Sequence, residues 1–167
     1  PYVNGAALLE GATAPDPTDI GIISVGPLAK ATTQTTAAIG QPFTYRITLP
    51  ASPQPVALND VRVLDDISLA ARGVSLSYVS ASARLASNAR SWATLTNSGT
   101  ATSLVLQDSV TGGLDVPAGD QLIVDVVLVI NDDSANNTSG KQFTNTANYP
   151  YNSIAGNDAS RVSGVAG

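Results

Sequence analysis

Between Gly40 and Leu49 the run GQPFTYRITL sets Phe43, Tyr45, Ile47 and Leu49 against Thr44, Arg46 and Thr48, the two-residue period of a half-buried strand. A Pro-rich turn, PASPQP, closes it. The next run, NDVRVLDDI, places Val61, Val63, Asp65 and Ile67 on one face and Arg62, Leu64 and Asp66 on the other. GVSLSYVS alternates Val74, Leu76 and Tyr78, and SWATL and SLVLQ predict two shorter strands around the turn TNSGTATS. VPAGDQLIVDVVLVI reads as a turn into a nearly continuous apolar strand, the pattern of one covered on much of both faces. KQFTNTANY sets Phe143, Asn145, Ala147 and Tyr149 against Thr144, Thr146 and Asn148.

Eight or nine strands at spacings of about ten residues, with turn signals between them, predict an all-β sandwich of two antiparallel sheets. The one helical candidate is the short stretch Leu69 to Arg72. Residues 1–21 read as a strand followed by a Pro/Asp/Gly linker, and residues 22–167 as a single sandwich domain with a C-terminal linker from about 152. Tyr2-Val3-Asn4-Gly5-Ala6 repeats the aromatic-x-Asn-x-Ala spacing of Phe143-Thr144-Asn145-Thr146-Ala147. That echo fits the end of a preceding copy in a tandem array, and equally a chance agreement in a chain rich in Thr, Ala and Asn. The chain opens at Pro1 without an initiator methionine or signal sequence, and is read as a piece of a longer polypeptide.

Composition narrows the chemistry. The 167 residues include no cysteine and no histidine, so disulfides, thiolate or imidazole metal sites and the Ser-His-Asp triad are excluded. A net charge of −5, with eight scattered cations, leaves no basic stripe for nucleic acid. The longest apolar stretch, Leu122 to Ile130, is interrupted by Asp125 and falls well short of the roughly 20 residues of a membrane helix, so no membrane insertion is expected of this segment.

Three polar side chains fall on inward positions: Asp65, Asn145 and Lys30, which shares its face with Leu28 in GPLAKATTQ. Isolated buried charges are costly, so such groups pair, neutralise or react. An apolar site lowers the pKa of an amine and raises that of a carboxyl, so a neutral nucleophilic amine and a protonated acid can coexist. The acid then polarises the asparagine carbonyl, the amine attacks its carbon, and ammonia leaves. The product is an amide between two side chains, made in one turnover within one molecule. The chain is then no enzyme in the ordinary sense. The same positions also fit a surface lysine, a turn or edge aspartate and an amide satisfied by backbone.

In order and spacing, GQPFTYRITL, ALNDVRVLDDI, GVSLSYVSAS, VPAGDQLIVDVVLVI and FTNTANY resemble the conserved-repeat domain of bacterial surface proteins, known as domain of unknown function eleven, over about Lys30 to Tyr149. That domain is related to the isopeptide-forming domains of fimbrial subunits and adhesins. The resemblance implies an immunoglobulin-like sandwich in an extracellular stalk, with neighbouring repeats as partners and a Lys–Asn bond formed with help from an acid. The family lysine precedes the glycine of a G-x-x-x-x-Y strand, matching Lys30 before Gly40 and Tyr45. The acid of the V-x-V-x-D strand matches Asp65 after Val61 and Val63, and the N-T-A of the last strand matches Asn145, Thr146 and Ala147. The chain departs from the family at Asp65-Asp66-Ile67-Ser68, where D-T-L-P is common, so Asp66 competes with Asp65, and Asp125 is the reserve acid. PASPQP replaces a common N-T-G loop.

Asn131, Asp132 and Asp133 form one acidic loop and Asp16 with Asp19 another; each offers oxygen ligands for calcium, but neither has the ligand spacing of an EF-hand, and both read first as solvated turns. Asn136-Asn137-Thr138 matches a glycosylation acceptor weakly. Trp92 reads as core or half-core, with a ligand groove as the alternative. The expected function is a structural spacer of a bacterial surface or secreted adhesin-like protein, crosslinked from Lys30 to Asn145 with Asp65 as proton shuttle, needing no cofactor and no metal. The alternatives are an adhesin module that binds a glycan or protein through its end loops, and a carboxylate-pair glycosidase.

Overall fold

A computed structural model of the chain describes residues 2–3, 6–7, 25–32, 34–68, 73–152, 154–155 and 163–166. No helix occurs among them, and none is long and apolar enough to cross a membrane. The helical candidate at 69–72 and the Asp16/Asp19 loop lie outside the described residues. Strands β1 (Tyr2–Val3) and β2 (Ala6–Ala7) pair antiparallel as a small sheet of their own.

Two larger antiparallel sheets make the sandwich. The first contains β3 (Ala29–Ala31), β4 (Pro42–Leu49), β7 (Leu76–Leu85), β8 (Ser91–Trp92) and β12 (Leu122–Ile130), in the order β3-β4-β12-β7-β8. The second contains β5 (Leu58–Val61), β6 (Val63–Asp66), β9 (Thr96–Asn97), β10 (Ser103–Gln107), β11 (Leu114–Val116), β13 (Ala147–Asn152) and β14 (Ser163–Ala166). Strand β13 runs alongside both β5 and β6, so these are two halves of one strand broken at Arg62. The break falls beside Asp60, whose φ is 52°, and Gly113 packs so closely on Asp60 that a side chain there has no room. With β5 and β6 read as one, the orders β3-β4-β12-β7 and β14-β13-β5/β6 are the A-B-E-D and G-F-C sheets of an immunoglobulin-like sandwich. Residues 86–121 are an excursion that adds β8 to the first sheet and β9, β10 and β11 to the second. Within the stretch after 152 read as linker, β14 pairs with β13 from Asn152↔Ser163 to Tyr149↔Ala166.

The core lies between the sheets. Ile47, Leu49, Val124, Val126 and Leu128 face Val61, Val63, Leu104, Leu106 and Tyr149, all fully or almost fully buried. Each contributes on the order of 2 kcal/mol by leaving water. Two patterns differ from the period-two reading. Strand β12 alternates buried and half-buried positions, so its outer face is only partly covered. Strand β7 runs on to Leu85 because a bulge at Val79 switches the inward parity from Leu76 to Ala81, Ala83 and Leu85.

Candidate functional site

Lys30 sits on β3, the edge strand of the first sheet, opposite Ile47 of β4. Its neighbours Ala29 and Ala31 are exposed, so the lysine is the one residue of the strand that points into the sandwich, with 7% of its side chain exposed. Asp65 lies on β6, flanked by Leu104 of β10 and Ala147 of β13, and is 1% exposed. Asn145, 8% exposed, precedes that Ala147 by two residues. It stands just ahead of β13 rather than within it, because the ladder begins at Ala147↔Asp65. The inward parity predicted for the run still holds, with Asn145 and Tyr149 buried and Thr144, Thr146 and Asn148 exposed.

The three side chains, drawn from opposite sheets, converge on one oxygen. Lys30 Nζ donates to Asp65 Oδ2 at 2.6 Å, and Asn145 Nδ2 approaches the same oxygen at 3.4 Å, a long contact. The remaining oxygens, Asp65 Oδ1 and Asn145 Oδ1, are buried and have no hydrogen-bond partner. Orphaned buried acceptors cost about 1–3 kcal/mol each.

Tyr45 closes the site from β4. Lys30 Nζ lies 4.8 Å from the centre of its ring, and Phe43 meets Tyr45 edge-on and packs on Phe143. This wall removes water, so burial holds the Lys30 amine below its ordinary value of 10.5, an effect that the charge and hydrogen bond of Asp65 only partly offset. Burial, and then the negative charge of Asp65, push the Tyr45 phenol up. Sequence reading placed Tyr45 among the inward apolar residues without assigning it to the site. Tyr45 shares the inward face of β4 with Ile47, and only the pairing of Ile47 with Lys30 brings it to the amine.

The two competing acids lie elsewhere. Asp125 points to the outer face of the first sheet, where Arg46 grips it with Nε and Nη2 at 2.8 and 2.9 Å. It is half-buried on the parity opposite to Val124 and Val126, which removes it as a reserve shuttle. Asp66 is exposed and caps the backbone N–H of Ser68 at 2.9 Å.

Outside this site the remaining candidates have structural work. Trp92 is buried and donates from Nε1 to Asp108 at 3.1 Å, with Arg90 stacked on its ring, so it anchors the excursion as a core residue. Asn131 binds Ser75 and Ser77, and Asp133 accepts from the Ala135 and Asn136 backbones and the Asn136 side chain. Asn137 is buried and spends its amide on Ser75 and the Asn131 carbonyl. Among the described residues no group of three acidic side chains is placed to hold a metal ion. No family model matches the chain, and no curated protein matches it.

Proposed function

We propose that the chain is a structural spacer domain of a bacterial cell-surface or secreted adhesin-like protein, and that it crosslinks itself through an isopeptide bond between Lys30 and Asn145. One observation supports this reading above all: a buried lysine, carboxylate and carboxamide, brought from opposite sheets, share Asp65 Oδ2. A purely structural ion pair has no use for a buried asparagine carbonyl left without a donor.

The reaction begins with transfer of the Lys30 proton to Asp65 along their hydrogen bond, giving a neutral amine and a neutral acid. The Asn145 carboxamide, turned by half a rotation, accepts the acid's proton at Oδ1. The Lys30 nitrogen pair attacks Asn145 Cγ; the C–N bond to Lys30 forms as the bond to Asn145 Nδ2 breaks. A proton from the amine passes through Asp65 to the departing nitrogen, which leaves as ammonia, and the proton on Oδ1 returns to Asp65 as the carbonyl of the new amide re-forms. Folding supplies the proximity, so one turnover needs no bound cofactor.

Such a bond joins β3 to the segment entering β13 and so staples the two sheets across the core. By analogy with a disulfide that closes a loop of roughly 100 residues, it removes on the order of 5 kcal/mol of unfolded-state entropy. The bond is tested by tryptic mapping. Linked Lys30 resists cleavage, so residues 1–46 are expected joined to residues 142–161 as one branched peptide. Separate peptides ending at Lys30 and Arg161 contradict the proposal.

A further inference from the structure

Lys30 is held on an edge strand of only three residues, yet its amine must meet a carboxamide carried by the opposite sheet. Short edge strands slide and fray, so some contact has to fix β3 along the direction in which Lys30 passes Asn145. The segment before β3 carries it. The Tyr149 hydroxyl donates to the Gly26 carbonyl at 2.5 Å, and the Tyr149 ring is fully buried. On the other side, the Ala51 N–H binds the adjacent Pro27 carbonyl at 2.7 Å and ties the same segment to its own sheet. Gly26 precedes Lys30 by four residues, and Tyr149 follows Asn145 by four. The Tyr149 contact and the Lys30–Asp65–Asn145 cluster therefore lie at matching offsets along the same two segments. Pinning the first pair sets the register of the second.

We propose that Tyr149 is a positioning residue for the crosslink, its hydroxyl anchoring Gly26 so that Lys30 is presented in register with Asn145. This rests on the isopeptide reading above and assigns a role to a side chain outside the reacting cluster. The phenol does not react. It is a neutral donor throughout the ordinary pH range, because burial, with a smaller push from Tyr151, raises it to about 12. Gly26 contributes only a backbone carbonyl, so the anchor is removed cleanly from one end: Tyr149→Phe keeps the buried ring and deletes the donor.

The test follows crosslinking in time. The full chain is made by cell-free synthesis, chased, and quenched in acid denaturant at intervals, and the loss of ammonia is read by mass. Trp92→Phe, which deletes the hydrogen bond to Asp108 at the far edge of the first sheet, controls for a general loss of stability. Tyr149→Phe is expected to link about fivefold more slowly than the parent, in keeping with loss of one net hydrogen bond from the register equilibrium, yet to reach the same end point. Trp92→Phe is expected to keep the parent rate. Equal rates for Tyr149→Phe and the parent overturn the anchor, and so does equal slowing in both variants. A parent chain that never loses ammonia overturns the crosslink itself, a result distinct from both.

Discussion

Lys30 Nζ stands 2.6 Å from Asp65 Oδ2 inside the sandwich, with 7% and 0% of the two side chains exposed. Removing one member of a buried pair strands the other, whereas surface pairs contribute little. In the unlinked Asn145→Ala background, Asp65→Asn keeps the shape and deletes the counter-charge. It is expected to cost about 3 kcal/mol in urea unfolding. A cost below about 1 kcal/mol, the range of an exposed pair, would place the lysine in water. With Asn145 intact, Asp65→Asn is expected to fold without linking, while Asp125→Asn, on the outer face with Arg46, links normally.

The rate of linking is expected to trace a bell against pH. The reactive state holds one transferable proton between Lys30 and Asp65: a second proton blocks the amine at low pH, and loss of the first removes the acid at high pH. Because burial lowers the Lys30 amine, the alkaline limb is expected to fall below pH 10.5. The same shift makes the unlinked Asn145→Ala protein gain stability as pH rises from the folded lysine's value toward 10.5, since there the unfolded chain holds a proton that the folded site has shed. A linking rate that climbs steadily through 10.5 contradicts the proton-sharing step.

Under force the bond diverts tension from Asn145 directly to Lys30. Only the segments before Lys30 and after Asn145, including β13 and β14, remain extensible. In single-molecule pulling from the termini, the Asn145→Ala chain is expected to release an extra length of about 400 Å, the span of the 115 extended positions from Lys30 to Asn145. The parent is expected to withhold it. The same lengthening in both contradicts the tether.

The inward placement of Asp65 and Asn145 was legible because each interrupts a row of apolar residues spaced two apart, Val61, Val63 and Ile67 for the first and Phe143, Ala147 and Tyr149 for the second, and Lys30 because Leu28 marks its face. Asp125 was ambiguous for the opposite reason: in LIVDVVLVI both parities are apolar, and only the pairing with Arg46 reveals which side faces out. The extent of β7 was hidden by the bulge at Val79, which reverses parity midway, and the break at Arg62 by an Asp60 backbone conformation that composition does not announce. The contact between Tyr149 and Gly26 had no sequence signal, since its acceptor is a main-chain carbonyl. Tertiary geometry alone supplies it.

The most direct test of the crosslink is the intact mass of the denatured chain. The account predicts a deficit of one ammonia in the parent and none in Lys30→Ala or Asn145→Ala. Cyclisation of an asparagine also releases ammonia but does not require Lys30, so the lysine variant separates the two. A parent chain at its full sequence mass, or a deficit that survives Lys30→Ala, contradicts it.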